Sequence, residues 1–166
     1  MSAVSRVRYR RRPRPADLPA LRLLVAATRV FHPQERKIAL ELLEERLRRG
    51  ADSGYEFLFA ERAGRLVGYC AWGSVPLTRQ SFDLYWIAVA PEAQGQGIGQ
   101  ELMKLAEEAV ARRGGGGLYI ETSSRPVYRR TRRFYRDAGY RRVARLRDFY
   151  ATGDHKVVFC KTIPAK

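Results

Sequence analysis

Apolar residues along this chain follow two rhythms, one helical and one strand-like, and the alternation between them predicts the elements in order. A short strand around Val7 and Tyr9 precedes Asp17, a residue type suited to a helix N-cap, with Leu18, Leu21 and Val25 at helical spacing behind it. His32-Pro33 interrupts that helix, and Ile38, Leu42, Leu43 and Leu47 mark a second one that ends near Gly50. The runs Y-E-F-L-F-A-E and L-V-G-Y-C-A-W, joined by R-A-G-R, read as a hairpin, and F-D-L-Y-W-I-A-V reads as a strand closed by Pro91. Ile98, Leu102, Leu105, Ala106, Ala109 and Val110 form the apolar face of a third helix; Glu101, Lys104, Glu107 and Glu108 lie outside it, and Gly114 to Gly117 end it. L-Y-I-E-T is another strand, Thr131 to Ala138 a short helix stopped by Gly139, and Tyr140 to Phe149 with Lys156 to Thr162 a terminal hairpin around A-T-G-D. With no repeat and no long linker, the expectation is one domain of mixed α and β structure over residues 1–166.

One stretch breaks both rhythms. In V-A-P-E-A-Q-G-Q-G-I-G-Q-E-L-M, residues 89–103, Gly95, Gly97 and Gly99 stand at every second position between a strand and a helix. Glycine costs backbone entropy, so such a run needs a sharp turn or something that approaches the main chain closely. Strand, glycines, helix is also the setting in which backbone N–H groups and a helix N-terminus bind phosphate. The nucleotide loop G-x-x-x-x-G-K followed by Ser or Thr is excluded, because no Gly-Lys-Ser or Gly-Lys-Thr occurs. The dinucleotide fingerprint G-x-G-x-x-G is excluded as well: counted from Gly95 its third glycine would be Gln100, and counted from Gly97 it would be Leu102. A turn without a ligand would need only one glycine. What remains is Q-x-x-G-x-G, spelled by Gln94, Gly97 and Gly99.

Composition narrows the partners. A chain of 166 residues is long enough to bury a full core. Its formal charge of +15, with 27 arginines against 5 lysines, raises the prospect of a polyanion: nucleic acid, a membrane surface or a phosphorylated cofactor. Arg6 to Arg14 and Arg125 to Arg136 are the two clusters. No run approaches the ~20 apolar residues of a membrane span and the N-terminus lacks a secretory pattern, so a cytoplasmic protein with no membrane partner is expected. Cys70 and Cys160 lie in apolar runs without a neighbouring Cys or His at ligand spacing; neither a disulfide nor a metal site is expected.

The stretch Gln94 to Gly99 resembles the acyl-CoA diphosphate loop of the GNAT superfamily of N-acyltransferases, in which Gln or Arg, two residues, Gly, one residue, then Gly or Ala follow a strand ending in an Ala-Val type pair. Ala88 and Val89 supply that pair. F-Y-R-D-A-G-Y, residues 134–140, is similar to the family's second signature, and R-P-R-P-A-D-L-P-A-L to its usual opening. The order of elements over nearly the whole chain matches too. The resemblance implies a mixed, mostly antiparallel central sheet of about seven strands flanked by about four helices. It implies acetyl-CoA as acyl donor, held by Ala88, Val89, Gln94, Gly95, Gly97, Ile98, Gly99 and Gln100. Arg129, Arg130, Arg132, Arg133 and Arg136 lie on or before the short helix that borders the cofactor in this family, so part of the basic excess would face its phosphates.

Acetyl transfer from a thioester to an amine needs a neutral amine, a stabilised oxyanion and a proton for the departing thiolate. Glu121 ends the apolar strand L-Y-I-E-T, where the ribosomal-protein alanine N-acetyltransferase branch carries a catalytic glutamate, and is the preferred base. Asp83 competes: it matches the base position of histone-acetylating members, yet near a strand start it could equally cap the turn from Thr78 to Ser81. Tyr135 fits the family tyrosine that protonates the leaving sulfur, and a backbone N–H at Val89 would meet the oxyanion. Direct transfer needs no acyl-enzyme, which leaves both cysteines inert.

Two departures bear on the acceptor: Tyr128 stands where the family often has asparagine, and the loop S-S-R-P-V-Y-R-R is longer than in the ribosomal-protein branch. Residues 28–36, 75–82 and 148–154 would shape the acceptor site, with Tyr85, Asp148 and Tyr150 as candidate lining and His32 and His155 as surface residues. The leading expectation is an N-acetyltransferase, monomer or homodimer, acting on a primary amine of a small molecule, peptide or protein. Two other classes compete: a basic nucleic-acid- or ribosome-associated binding protein, disfavoured because no helix-turn-helix, zinc finger or aromatic platform is visible, and an acetyl-CoA-binding regulatory module without turnover.

Overall fold

Residues 6–166 are described by a computed structural model. Seven strands and four α-helices are found among them, and the strands follow the hydrogen-bonded order β1-β2-β3-β4-β5-β7-β6. β4 (Ser81–Val89) and β5 (Gly116–Ser123) run parallel, whereas β1–β2, β2–β3, β5–β7 and β6–β7 are antiparallel, so the expected mixed, mostly antiparallel sheet is borne out. The described residues divide into two compact units: one runs to Gly73 and resumes over Trp86–Ala106, and the other comprises Ser74–Tyr85 and Glu107–Lys166.

In the first unit, β1 (Arg8–Arg10) pairs with β2 (Tyr55–Arg62), which forms a hairpin with β3 (Arg65–Ser74). Phe57 to Ala60 and Val67 to Gly73 are continuously buried, as expected of central strands covered on both faces. Helices α1 (Asp17–Ala27) and α2 (Pro33–Arg49) are in contact with each other, and Leu21, Val25, Ala39 and Leu43 are buried. Pro33 occupies the first turn of α2, where its missing N–H costs nothing, and Glu35 accepts the His32 N–H at 2.6 Å. Gly68 is small for a reason: a Cβ there would sit 3.1 Å from Ile98 and 3.4 Å from Leu102, so glycine lets α3 (Ile98–Arg112) press onto β3.

Asp17 departs from the sequence reading. It is the first residue of α1 rather than its N-cap, which is Ala16. Its carboxylate turns back, accepting the Arg14 N–H at 2.6 Å and the buried Arg10 guanidinium at 2.6 and 3.0 Å, while Arg10 also reaches Glu61 at 2.7 Å. Both side chains of the Arg10–Asp17 pair are only 8% exposed, and removing Asp17 leaves the buried Arg10 with Glu61 as its remaining carboxylate. Asp17→Ala is expected to cost about 1.5–3 kcal/mol, the range for hydrogen bonds to a charged group, read as a lower denaturant midpoint.

The second unit is built on the first half of β4, β5, and the hairpin of β6 (Arg141–Ala151) and β7 (Asp154–Ile163). Helix α4 (Arg129–Asp137) starts two residues before the sequence expectation, preceded by a 3-10 turn at Pro126–Tyr128. Tyr135 packs against Tyr140 and Phe159, with ring centroids 6.5 and 5.8 Å away. The end of α3 is tied in by Glu107, which accepts from Tyr140 at 3.1 Å and from Lys161 at 2.7 Å.

Candidate active site

The glycine loop grows out of the end of β4. A 3-10 turn at Pro91–Ala93 reverses the chain, and Gln94 then donates its side-chain amide to the Val89 carbonyl at 3.0 Å, fastening the loop to the strand. Gly95 and Gly97 have φ of 73° and 81°, in the left-handed region where a side chain is strained. A Cβ built on either would meet no atom within 4 Å, so the main chain here borders open space. The Gly97 carbonyl accepts the Glu101 N–H at 3.0 Å, which leaves the earlier N–H groups of α3 at the helix mouth. Exposed glycine backbone at a helix N-terminus fits a diphosphate, which prefers converging N–H donors and the positive end of the helix dipole.

The residues named for this role divide by what they expose. Ile98 is buried, so only its main chain could serve a ligand, whereas Gln100 is exposed. Gly99 belongs to the first turn of α3, and Ala88 is buried beside the half-buried Val89. Sequence reading missed two supports: Arg62 donates to the Gln96 side chain at 2.7 Å, and Gln96 donates to the Glu92 carbonyl at 3.1 Å. No local pattern could have revealed the first, because the hairpin and the loop lie 34 residues apart.

The second unit gathers the ionisable candidates. Asp83 pairs in register with Tyr119, two residues before Glu121, and Glu121 is opposite Val158, two residues after Lys156. Side chains alternate along a strand, so Asp83, Tyr119, Glu121 and Lys156 share one face of the sheet. Lys156 Nζ lies 2.6 Å from Glu121 Oε2; the lysine side chain is 14% exposed and the glutamate 52%. Burial, and then the charge of Glu121, push the Asp83 carboxyl above its ordinary value, with Lys156 pulling the other way. The turn Asp83 was thought able to cap closes instead through Thr78 and Val75, with a Val75–Ser81 backbone bond of 2.8 Å.

Tyr135 sits on the other face. Its partner Phe159 is opposite Ile120, the neighbour of Glu121, so alternation sends the two groups to opposite sides of β5. Burial, and then Tyr128, push its phenol well above the ordinary value and keep it protonated. The pairing of β4 with β5 covers Ser81 to Leu84 against Gly117 to Ile120, and β5 continues three residues beyond it.

Other assignments change. Arg132 is turned inward, donating to the Ser123 and Arg125 carbonyls at 2.7 and 3.0 Å, so it braces the end of β5 instead of offering a free arm to phosphate. His155 is no surface residue: its Nδ1 accepts the Asp148 N–H at 2.8 Å, locking the β6–β7 hairpin. Tyr128 is buried, with the Arg125 guanidinium 5.3 Å from its ring centre. Cys70 is buried and Cys160 half-buried, and burial raises both thiols, which disfavours the nucleophilic thiolate. Among the described residues, no helix is long and apolar enough to cross a membrane.

Comparison with known proteins bears on the same segments. Residues 53–142, which contain the glycine loop, both carboxylates and Tyr135, match the acetyltransferase (GNAT) domain model. The crystal structure of a GNAT-family protein from Desulfovibrio desulfuricans superposes with a TM-score of 0.93 at 40% identity, covering 95% of this chain and 99% of that one. The ribosomal-protein alanine N-acetyltransferase of Escherichia coli shares the fold at 19% identity, with a TM-score of 0.76 over 97% and 96% of the two chains. A mycothiol acetyltransferase of Mycolicibacterium paratuberculosis is 33% identical over 74% of this chain, and one of Streptomyces bingchenggensis is 32% identical over 61%. The chain spans only 43% and 33% of the length of those two relatives. With the glycine loop in place at the head of α3 and the family model matched across more than half its length, this chain belongs to the GNAT acetyltransferase family.

Proposed function

We propose that the chain is an N-acetyltransferase that moves an acetyl group from acetyl-CoA directly to a primary amine, acting as one domain in a cytoplasmic setting. The observation that carries this reading is the pair of left-handed glycines, Gly95 and Gly97, exposing bare main chain at the mouth of α3. Gly95 to Gly99 would hold the diphosphate, Gln94 would keep the loop docked on β4, and Ala88 and Val89 would run beside the pantetheine arm, with the Val89 N–H at the oxyanion. Bound acetyl-CoA supplies an acyl group already activated as a thioester.

Asp83 and Glu121 form the candidate base pair for the acceptor ammonium. Asp83 is the stronger candidate of the two, because Glu121 is half exposed and engaged by Lys156, whereas Asp83 is held partly out of water with its proton affinity raised. A raised carboxyl is the better proton acceptor at neutral pH. Tyr135, buried and protonated on the opposite face, is the candidate acid for the sulfur. Acid and base on opposite faces could serve the same bond only where β5 runs on beyond its pairing with β4, past Ile120.

Isothermal titration with acetyl-CoA, followed by thiol release across a panel of primary amines, tests the reading. Saturable heat and acetyl-CoA-dependent thiol release with at least one amine are expected. No heat would overturn it, and heat without release on any amine would favour a binding module without turnover.

A further inference from the structure

Lys156 has no part in the mechanism so far, yet its surroundings are those of a controlling group. Its ammonium lies 2.6 Å from Glu121 Oε2 and 4.2 Å from the centre of the Phe149 ring, with the side chain largely withdrawn from solvent. A lysine held between a carboxylate and an aromatic face keeps its charge in place instead of sweeping through water. Its register positions it across from Ser123 on β5 and Leu146 on β6, on the face that Asp83 and Glu121 share.

We propose that Lys156 is a positioning residue for the base: by clamping Glu121 against β7 it leaves Asp83 as the carboxylate free to take the acceptor's proton. The inference rests on the acetyltransferase reading above and deepens it. Two carboxylates on one face of neighbouring strands without a cation would each raise the other's proton affinity, and neither would have a defined task. With Lys156 in place the pair is asymmetric. Glu121 is pinned by the ion pair, its charge raises the proton affinity of Asp83, and Lys156 opposes that rise.

The charged and titratable groups that register places on this face are Asp83 and Tyr85 of β4, Tyr119 and Glu121 of β5, Lys156 and Cys160 of β7, and Arg141 of β6 opposite Cys160, with Tyr119 and Cys160 hydrogen-bonded to each other. The next ones out are engaged elsewhere: Asp154 pairs with Arg125 at 3.5 Å, and Asp148 accepts the Gly153 N–H at 2.8 Å. None of these replaces an ammonium at Glu121.

The test needs no acceptor. Carboxyl carbons of labelled Asp and Glu are titrated by NMR in the intact wild-type protein, in Lys156→Gln and in Lys156→Arg, with thermal melting to confirm folding. In Lys156→Gln the Asp83 midpoint is expected to move up by about one pH unit, and in Lys156→Arg to return close to wild type. Should Lys156→Gln fail to fold, Phe149→Leu, which removes the ring that seats the ammonium, is expected to move the midpoint the same way by less. An unmoved Asp83 midpoint in a folded variant overturns the proposal. With an accepted amine in hand, the acid limb of kcat/KM should follow the NMR midpoint. Failure of the base reading is separate: it would appear as undiminished transfer by Asp83→Asn, whatever Lys156 does.

Discussion

Gly97→Val is expected to remove measurable acetyl-CoA binding, while Gly97→Ala weakens it by about 5- to 30-fold, the ~1–2 kcal/mol of a left-handed residue with a Cβ. The distinction follows from the local geometry. A Cβ at Gly97 meets nothing within 4 Å, so neither variant clashes with its own protein. The penalty lies in φ, 81° in the native loop, which alanine tolerates at a cost and a β-branched side chain does not. Valine therefore has to rebuild the turn, and the N–H groups of Gly97 and Ile98 no longer converge. The loop is exposed and contributes little to the core, so thermal stability should change far less than affinity. Titration calorimetry beside a melting curve separates the two, and a Gly97→Val protein that binds acetyl-CoA like wild type would remove the glycine loop from the site.

Asp83→Asn is expected to lower kcat/KM by about 100- to 10,000-fold, the range for loss of a general base, and Glu121→Gln by about ten-fold or less, near 1.4 kcal/mol. The two should also differ in pH dependence. Asp83 must be deprotonated to act, so the rate falls as pH drops through its raised value, and burial followed by the Glu121 charge sets that value. Removing the Glu121 charge lowers it, so the acid limb of Glu121→Gln should shift to lower pH, opposite to the shift expected for Lys156→Gln. Steady-state kinetics from pH 5 to 9 with one accepted amine reads both effects. The reverse ranking, with Glu121→Gln the crippled variant, would return the base role to Glu121.

The four helices and seven strands were legible because their apolar spacing is local: α3 declares itself through Ile98, Leu102, Ala106 and Val110, all of them buried. Asp17 was misread because an acidic residue before a helix has two uses, and only Arg10 and Glu61, brought in by β1 and β2, decide between them. The inward turn of Arg132 is not legible in the sequence, because neighbouring residues do not distinguish an arginine that turns in from one that turns out.

By itself the sequence determined the glycine loop and its place between a strand and a helix, since left-handed backbone leaves its mark on residue type at the very position where it occurs. It determined the fold class for the same reason, through periodicities that each segment carries alone. Only the tertiary structure decided that Asp83 and Glu121 share a face with Lys156, that Tyr135 lies on the other, and that Gln96 is held by Arg62. Those are matters of strand register and of long-range pairing, and the electrostatics of a carboxylate depend on whatever charge the fold carries to it from far along the chain.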